Sequence, residues 1–111
     1  MTFARLAAVV VAVGILAACS DPTSSGGRST NITVGNNFFS PTPNTVPVGQ
    51  VTFNWVAPSN GHNVTWQTGP APLPANAQTR TSGSFQVTLQ AGTYTYHCTL
   101  HSGMNGTITA Q

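Results

Sequence analysis

Four residues of types that bind soft metal ions form a spaced pattern in the second half of the sequence. One imidazole comes from His62, near the middle of the chain. A thiol, a second imidazole and a thioether follow close together as Cys98-x-x-His101-x-x-Met104. The whole chain contains only 3 His, 2 Cys and 2 Met, so this pattern uses a large part of the metal-binding side chains that are available.

This combination of donor atoms predicts a copper site. Thiolate and imidazole are soft to intermediate ligands, and they select copper or zinc over magnesium or calcium. Two His and one Cys with a weak axial Met form the blue-copper arrangement that transfers single electrons. A structural zinc site normally takes four Cys or His ligands, so the Met disfavours zinc. A binuclear copper site of the oxidase type needs two Cys in the loop, and only one is present.

The third His of the chain directly precedes the Cys of this pattern. Successive side chains of a strand point to opposite faces, so we expect His97 to point away from Cys98 and to lie at the surface. An alternative hypothesis gives His97 a second electron route, because it is covalently adjacent to the Cys ligand.

The body of the chain shows the period-two alternation that is typical of β-strands. Gly and Pro residues separate the alternating runs, and their spacing predicts an all-β Greek-key sandwich or barrel of about seven to eight short strands. The Pro-rich segment 67–80 is predicted to be a long surface loop. The alternating runs are Ile32-x-Val34, Val51-x-Phe53-x-Trp55, Phe85-x-Val87-x-Leu89 and Tyr94-x-Tyr96-x-Cys98.

The charge content of the chain excludes several classes of function. Charged residues make up 4% of the 111 residues, with 3 Lys or Arg and 1 Asp or Glu. So few basic groups exclude a nucleic-acid-binding surface. A single acidic residue excludes catalysis by paired carboxylates. Beyond residue 30 the only charged side chain is Arg80, so we expect long-range steering of a partner to be weak.

The N-terminal stretch 1–18 has the features of an export signal. Arg5 supplies a positive start, and the uncharged apolar run Leu6–Ala18 follows it. This run is shorter than the roughly 20 residues that a membrane-spanning helix needs. The ending Leu16-Ala17-Ala18-Cys19 resembles the lipobox of bacterial lipoproteins, in which the Cys is lipidated and becomes the new first residue.

The lipobox resemblance implies a three-part organisation of the chain. Residues 1–18 are the lipoprotein signal peptide, and Cys19 carries the lipid anchor. Residues 19–30 are rich in Ser, Gly and Thr and form a flexible linker. The remaining residues, 31–111, form the folded domain. We expect this domain to lie outside the cytoplasm, on the periplasmic side of a bacterial membrane or at the cell surface.

The strand-rich body and its ligand pattern resemble the cupredoxins, and most closely the small plastocyanin- and amicyanin-like group. The resemblance covers Ile32 to Ala110, and its most specific block is the segment 92–106, which contains Cys98-x-x-His101-x-x-Met104. The two residues between the second His and the Met resemble the short loop of amicyanin rather than the longer loop of plastocyanins. Many members of the family have Pro where this chain has Leu100.

The resemblance implies a role for each residue of the pattern. It implies one type 1 copper ion with His62, Cys98 and His101 as equatorial ligands and Met104 as the axial ligand. It implies that Asn63 donates its backbone N–H to the Cys sulfur and steadies the ligand loop with its side chain. It also implies that His101 reaches the surface through an apolar patch, where redox proteins dock transiently.

We therefore expect a membrane-tethered carrier of single electrons that cycles between Cu(I) and Cu(II), is monomeric and is not an enzyme. The main alternative is copper storage or delivery, although such sites are often rich in Met and His, which this chain is not. Copper oxidases and nitrite reductases need further His-based copper sites, which 3 His cannot furnish. A metal-free binding module is disfavoured because all four ligand types are present.

Overall fold

The alternation of apolar and polar side chains corresponds to short β-strands in a computed structural model, which describes residues 26–111. This range contains nine strands and no helix, so it has none that could cross a membrane. The strand count exceeds the expected seven to eight because two strands of three residues each, too short to show alternation, flank the segment 41–43. The strands are β1 (Asn31–Gly35), β2 (Phe38–Ser40), β3 (Asn44–Val46), β4 (Gly49–Trp55), β5 (His62–Thr68), β6 (Ala77–Arg80), β7 (Gly83–Leu89), β8 (Gly92–His97) and β9 (Asn105–Ala110).

The strands form two sheets whose apolar faces share one core. One sheet has the order β2-β1-β4-β7, and the other has the order β3-β9-β8-β5-β6. Two strand pairs are parallel, β1 with β4 and β3 with β9. Neighbouring strands are therefore often distant in the sequence, as in a Greek-key arrangement. The predicted all-β sandwich is confirmed.

Aromatic side chains fill the centre of the core. Phe53 contacts Tyr96 edge to face with ring centroids 5.3 Å apart, and Phe39 contacts the same tyrosine at 4.8 Å. Trp66 packs on Phe53 at 6.0 Å. Each such pair contributes about 0.5–1.5 kcal/mol beyond the burial of its area. Four aromatic residues of the alternating runs are buried in this core: Phe53, Trp55, Tyr94 and Tyr96.

The surface loop predicted over 67–80 is wrong at both ends. Strand β5 continues to Thr68, and the last four residues of the segment form β6. Strand β6 pairs with β5 and places Arg80 opposite His62. Of the four residues of β6, only Ala77 is buried. The strand therefore has no apolar alternation that a sequence pattern could reveal.

Part of the predicted linker lies against the five-stranded sheet. The N–H of Gly27 donates to the carbonyl of Pro43 at 2.8 Å, and its carbonyl accepts from the N–H of Thr45 at 2.9 Å. The buried side chain of Asn44 accepts from the N–H of Ser29 at 3.0 Å and donates to its carbonyl at 2.7 Å. The chain is thus held by the domain from Gly27 onward. The predicted signal peptide, Cys19 and the linker up to residue 25 lie outside the described residues.

Three connections meet at one end of the sandwich. Strand β4 ends there and β5 begins there, while β8 leads into the loop before β9, since His97 pairs with Asn105. The β1–β2 turn belongs to the same end because Val34 pairs with Trp55, the last residue of β4. The residues of the sequence pattern lie at this end.

Candidate metal centre

Three of the predicted ligands direct their donor atoms at one another. One ligand atom from each of His62, Cys98 and His101 lies within 4.8 Å of the others. Nδ1 of His62 is 3.2 Å from Nδ1 of His101, and Nδ1 of His101 is 3.7 Å from Sγ of Cys98. Two atoms that bind one ion at about 2.0–2.3 Å each stand roughly 3–4 Å apart. The spacing of these donors therefore fits a single metal ion.

His62 is the first residue of strand β5, and 0% of the surface of this residue is exposed. The indole N–H of Trp55 donates to the backbone carbonyl of His62 at 3.0 Å. Nε2 of His62 lies 3.2 Å from Oδ1 of Asn36 in the β1–β2 turn. Burial, and to a lesser extent the neighbouring His101, lowers the pKa of His62 below its ordinary value of 6.5. The imidazole is therefore neutral at pH 7, as metal ligation requires.

The loop between β8 and β9 supplies the other donors. Cys98 and Met104 are buried, and the N–H of Cys98 donates to the carbonyl of Met104 at 3.0 Å. The N–H of Met104 donates to the carbonyl of His101 at 3.2 Å. Gly103 has a φ of 84°, which favours glycine in this tight turn. The loop thus folds the backbone of Met104 back onto Cys98 and His101, while His101 stays half-buried.

Asn63 connects β5 to the ligand loop. Its backbone N–H donates to Sγ of Cys98 at 3.5 Å. Its side-chain amide donates to Oγ1 of Thr99 at 2.8 Å and accepts from the N–H of Thr99 at 3.1 Å. The same amide nitrogen also donates to Oγ1 of Thr79 on β6 at 3.3 Å. One side chain therefore holds the loop, β5 and β6 together.

His97 is half-buried rather than at the surface. The correction follows from its place in the sheet, because His97 lies between Thr65 on β5 and Asn105 on β9. Its Nδ1 is buried and has no hydrogen-bond partner. His97 is not among the converging donors found in the described part of the chain.

Sequence reasoning missed two contributors to the site. Asn36 precedes the site by many residues, and an Asn in a turn is ordinary. Trp55 ends an alternating run and is buried, but its indole N–H also fixes the backbone of His62. The Asn36 contact joins the β1–β2 turn to β5, and the Trp55 contact joins the end of β4 to the start of β5, so no pattern within one strand encodes either of them.

A comparison with known protein families identifies the fold. The family described as the cupredoxin-like domain matches residues 6–110. The chain belongs to the cupredoxin family. No protein with a curated description matches its sequence at a significant level.

Solved structures of cupredoxins resemble this one. A reduced Cu(I) form at pH 4 of a Pro-to-Gly variant of amicyanin is 27% identical with a TM-score of 0.60, and the match covers 81% of this chain and 87% of that one. A reduced Trp-to-Tyr variant of amicyanin is 25% identical with a TM-score of 0.62, at the same coverage of 81% and 87%.

A copper-containing nitrite reductase from Thermus scotoductus SA-01 is 22% identical with a TM-score of 0.61 over 73% of this chain. This cupredoxin spans only 22% of that reductase. The likeness to the reductase therefore shows the fold alone.

The donor set of this site fits the metal of its family. A thiolate, two imidazoles and a thioether are the ligands that suit copper, and hard cations such as magnesium prefer oxygen. The predicted cofactor, one copper ion, is confirmed by the family and by the similarity to amicyanin. The residues that would hold it are His62, Cys98, His101 and Met104.

Proposed function

We propose that this cupredoxin carries single electrons between redox partners. The observation that carries the proposal is a ligand set that is buried and tied by hydrogen bonds on one side, and half-exposed at His101 on the other. Bound copper supplies a one-electron couple between Cu(II) and Cu(I). Each cycle takes up one electron and releases one electron, with no bond to a substrate formed or broken.

The side chains around the ligands perform two tasks in this function. Asn63 and Trp55 restrain the loop and the first His, so little has to move when the charge at the site changes. The burial of Cys98 and Met104, which are 2% and 1% exposed, excludes water from the two sulfur donors. Of the four residues that would hold the copper, His101 alone is half-buried rather than buried, so it offers a short path from the site to solvent.

We expect partners to dock at the site end through apolar contacts around His101. Leu100, next to this His, is 55% exposed, and Val56 and Phe38 at the same end of the sandwich are 52% and 49% exposed. Residues 26–111 contain two charged side chains, Arg28 and Arg80, apart from His. Apolar contact rather than charge therefore drives docking, and the transfer rate should depend little on salt.

We further propose that the domain is tethered through a lipid on Cys19 to the outer side of a bacterial membrane. The support is the sequence of residues 1–19 alone, in which an apolar run ends in Leu-Ala-Ala-Cys. Fractionation of cells that produce the full chain tests this proposal. The wild type should remain with the membranes, and Cys19→Ser should not carry the lipid; an unmodified Cys19 in the membrane fraction would contradict the proposal.

The visible spectrum during redox cycling tests the electron-carrier function. Protein lacking residues 1–19 is loaded with Cu(II), reduced with ascorbate and reoxidised several times. An intense band that bleaches and returns in every cycle supports the carrier. Loss of copper to a weak chelator in either oxidation state would instead indicate copper storage or delivery.

A pair of matched variants tests the docking surface. Leu100→Ser removes an exposed apolar side chain beside His101, and Val48→Ser removes one that is 53% exposed at the opposite end of the sandwich. We expect Leu100→Ser to slow electron exchange between Cu(I) and Cu(II) copies roughly tenfold, since a partly buried Leu contributes about 1.4 kcal/mol to an encounter. Val48→Ser should leave the rate unchanged. Equal rates for the two variants would place docking elsewhere.

A further inference from the structure

The β1–β2 turn reaches the copper site through the side chain of Asn36. This residue follows β1 directly and is exposed. Its Oδ1 is 3.2 Å from Nε2 of His62 and 2.8 Å from the backbone N of Asn60. One oxygen atom thus contacts both the first copper ligand and the loop that leads to it.

The backbone N–H of Asn60 determines which atom of the Asn36 amide faces His62. A backbone N–H can only donate, so its partner must be the carbonyl oxygen of Asn36 and not the NH2 group. The same oxygen meets Nε2 of His62, which must therefore carry the proton. A neutral imidazole has one N–H, so Nδ1 of His62 keeps its lone pair, and this is the atom that faces His101.

We propose that Asn36 is a positioning residue that holds His62 in the tautomer protonated at Nε2 and thereby directs Nδ1 at the copper site. An outer partner of this kind fixes the tautomer and the ring orientation of a ligating His, and its loss typically costs about 10–100-fold in metal affinity. The inference rests on the copper site of this cupredoxin and is independent of the electron-carrier function.

The strands that flank the turn give Asn36 a fixed position. Asn37, the next residue, has a φ of 71°, which Asn tolerates better than most residues, and Gly35 pairs with Phe38 across the turn. Strand β1 also lies beside β4, whose last residue, Trp55, holds the carbonyl of His62. Neighbouring strands therefore hold His62 at its backbone and at the far edge of its ring.

Three variants separate this role from a general effect on the loops. Asn36→Ala removes the acceptor. Asn36→Asp keeps an oxygen in the same place and serves as the conservative rescue. Asn60→Ala is the matched control, because it makes the same chemical change in the neighbouring loop but leaves the backbone N–H that contacts Asn36. Asn36 and Asn60 are both exposed, so we expect every variant to fold, which far-UV circular dichroism checks.

Two measurements report on the proposal. Nitrogen-15 NMR of the metal-free protein at mildly alkaline pH gives the tautomer of His62, and competition with bicinchoninate gives the affinity for Cu(I). We expect a single Nε2–H tautomer in the wild type, in Asn60→Ala and in Asn36→Asp. Asn36→Ala should show both tautomers and bind Cu(I) about tenfold or more weakly.

Three results would overturn the proposal. In the first, Asn36→Ala keeps a single tautomer and a Cu(I) affinity within about twofold of the wild type, below the loss that such partners usually cause. In the second, Asn36→Asp is as impaired as Asn36→Ala. In the third, Asn60→Ala matches Asn36→Ala in both readouts. Neither measurement involves electron exchange, so a failure here is distinct from a failure of the carrier function.

Discussion

His62 and His101 offer the same donor atom from two regions that are built differently. His62 begins a strand, is completely buried, and is held by Trp55 at its backbone and by Asn36 at its ring. His101 lies in a loop and is half-buried, beside a Leu100 side chain that is 55% exposed. The strand region is suited to fixing the position of the metal, and the loop region to contact with a partner.

Asn63 connects the two regions through its side chain and its backbone. Asn63 bonds to Thr99 through both atoms of its amide and reaches Cys98 through its backbone N–H. Substitutions on the strand side should change metal binding and stability. Substitutions on the loop side should change exchange with small molecules and with partners.

The largest effect is expected from the thiol that both regions surround. Cys98→Ser replaces the soft thiolate by a hydroxyl, so the intense visible band of the Cu(II) protein should disappear entirely. Absorption spectroscopy during Cu(II) titration measures this. Ser102→Ala, an exposed change in the same loop, is the control and should keep the band; a band that survived in Cys98→Ser would remove Cys98 from the ligand set.

The next prediction sharpens the comparison between the two His residues. His101→Gly opens a half-exposed position, so added imidazole should enter and restore the band. His62→Gly opens a position with 0% exposure, enclosed by the fold, so imidazole should restore little or nothing. Titration of both Cu(II) variants with imidazole gives the two apparent affinities. Equal rescue would show that the two regions do not differ in access.

A smaller effect is expected when the connection between the regions is removed. Asn63→Ala leaves the polar atoms of Thr99 without their partner and should lower the free energy of unfolding of the metal-free protein by about 2 kcal/mol. Urea denaturation measures the change. Thr79→Val removes only the 3.3 Å contact to β6 and should cost less than half as much. If the Val variant cost as much as the Ala variant, the connection to the loop would not be the stabilising one.

The smallest effect on stability at neutral pH is expected for the variant Tyr96→Phe on β8, the strand that leads into the ligand loop. The hydroxyl of Tyr96 is buried without a partner, and burial raises its pKa well above the ordinary 10.0. The folded protein keeps this proton where the unfolded chain loses it, so wild-type stability should fall above pH 10, by about 1.4 kcal/mol per pH unit. Tyr96→Phe should abolish this loss.

Urea denaturation at neutral and at alkaline pH measures the effect of Tyr96→Phe. At neutral pH the Phe variant should be as stable as the wild type, because no hydrogen bond is lost. Tyr94→Phe is the contrast: it removes the hydrogen bonds to Gln90 and should cost about 1 kcal/mol at neutral pH. Wild-type stability that stayed constant above pH 10 would contradict the role given to Tyr96.

The parts of the molecule that were predictable from the sequence are those encoded locally. Cys98, His101 and Met104 lie within one short loop, so their spacing carries the information. Strands such as β4 alternate between buried and half-exposed residues over the five positions 51–55, which pattern reading detects. The all-β class and the copper cofactor followed from these two signals and from the family resemblance.

The parts that were missed depend on contacts between distant segments. Strand β6 buries one residue and holds its position by pairing with β5, so its sequence resembles a loop. The roles of Asn36 and Trp55 at the site arise only after the strands have assembled. The half-burial of His97 likewise comes from β5 and β9 on either side of it, which alternation within β8 alone cannot show.

The parallel pair of β3 with β9 has a consequence for the order of folding. Asn44 pairs with Ile108, and the N–H of Gln111 donates to the carbonyl of Val46, so β9 is needed to join β3 to the rest of the five-stranded sheet. Pairing over so long a separation is slow, typically on the order of milliseconds to seconds. Until β9 pairs with them, β3 and β8 have unpaired edges, which promote aggregation. Chains truncated before β9 should therefore aggregate or be degraded before they bind copper.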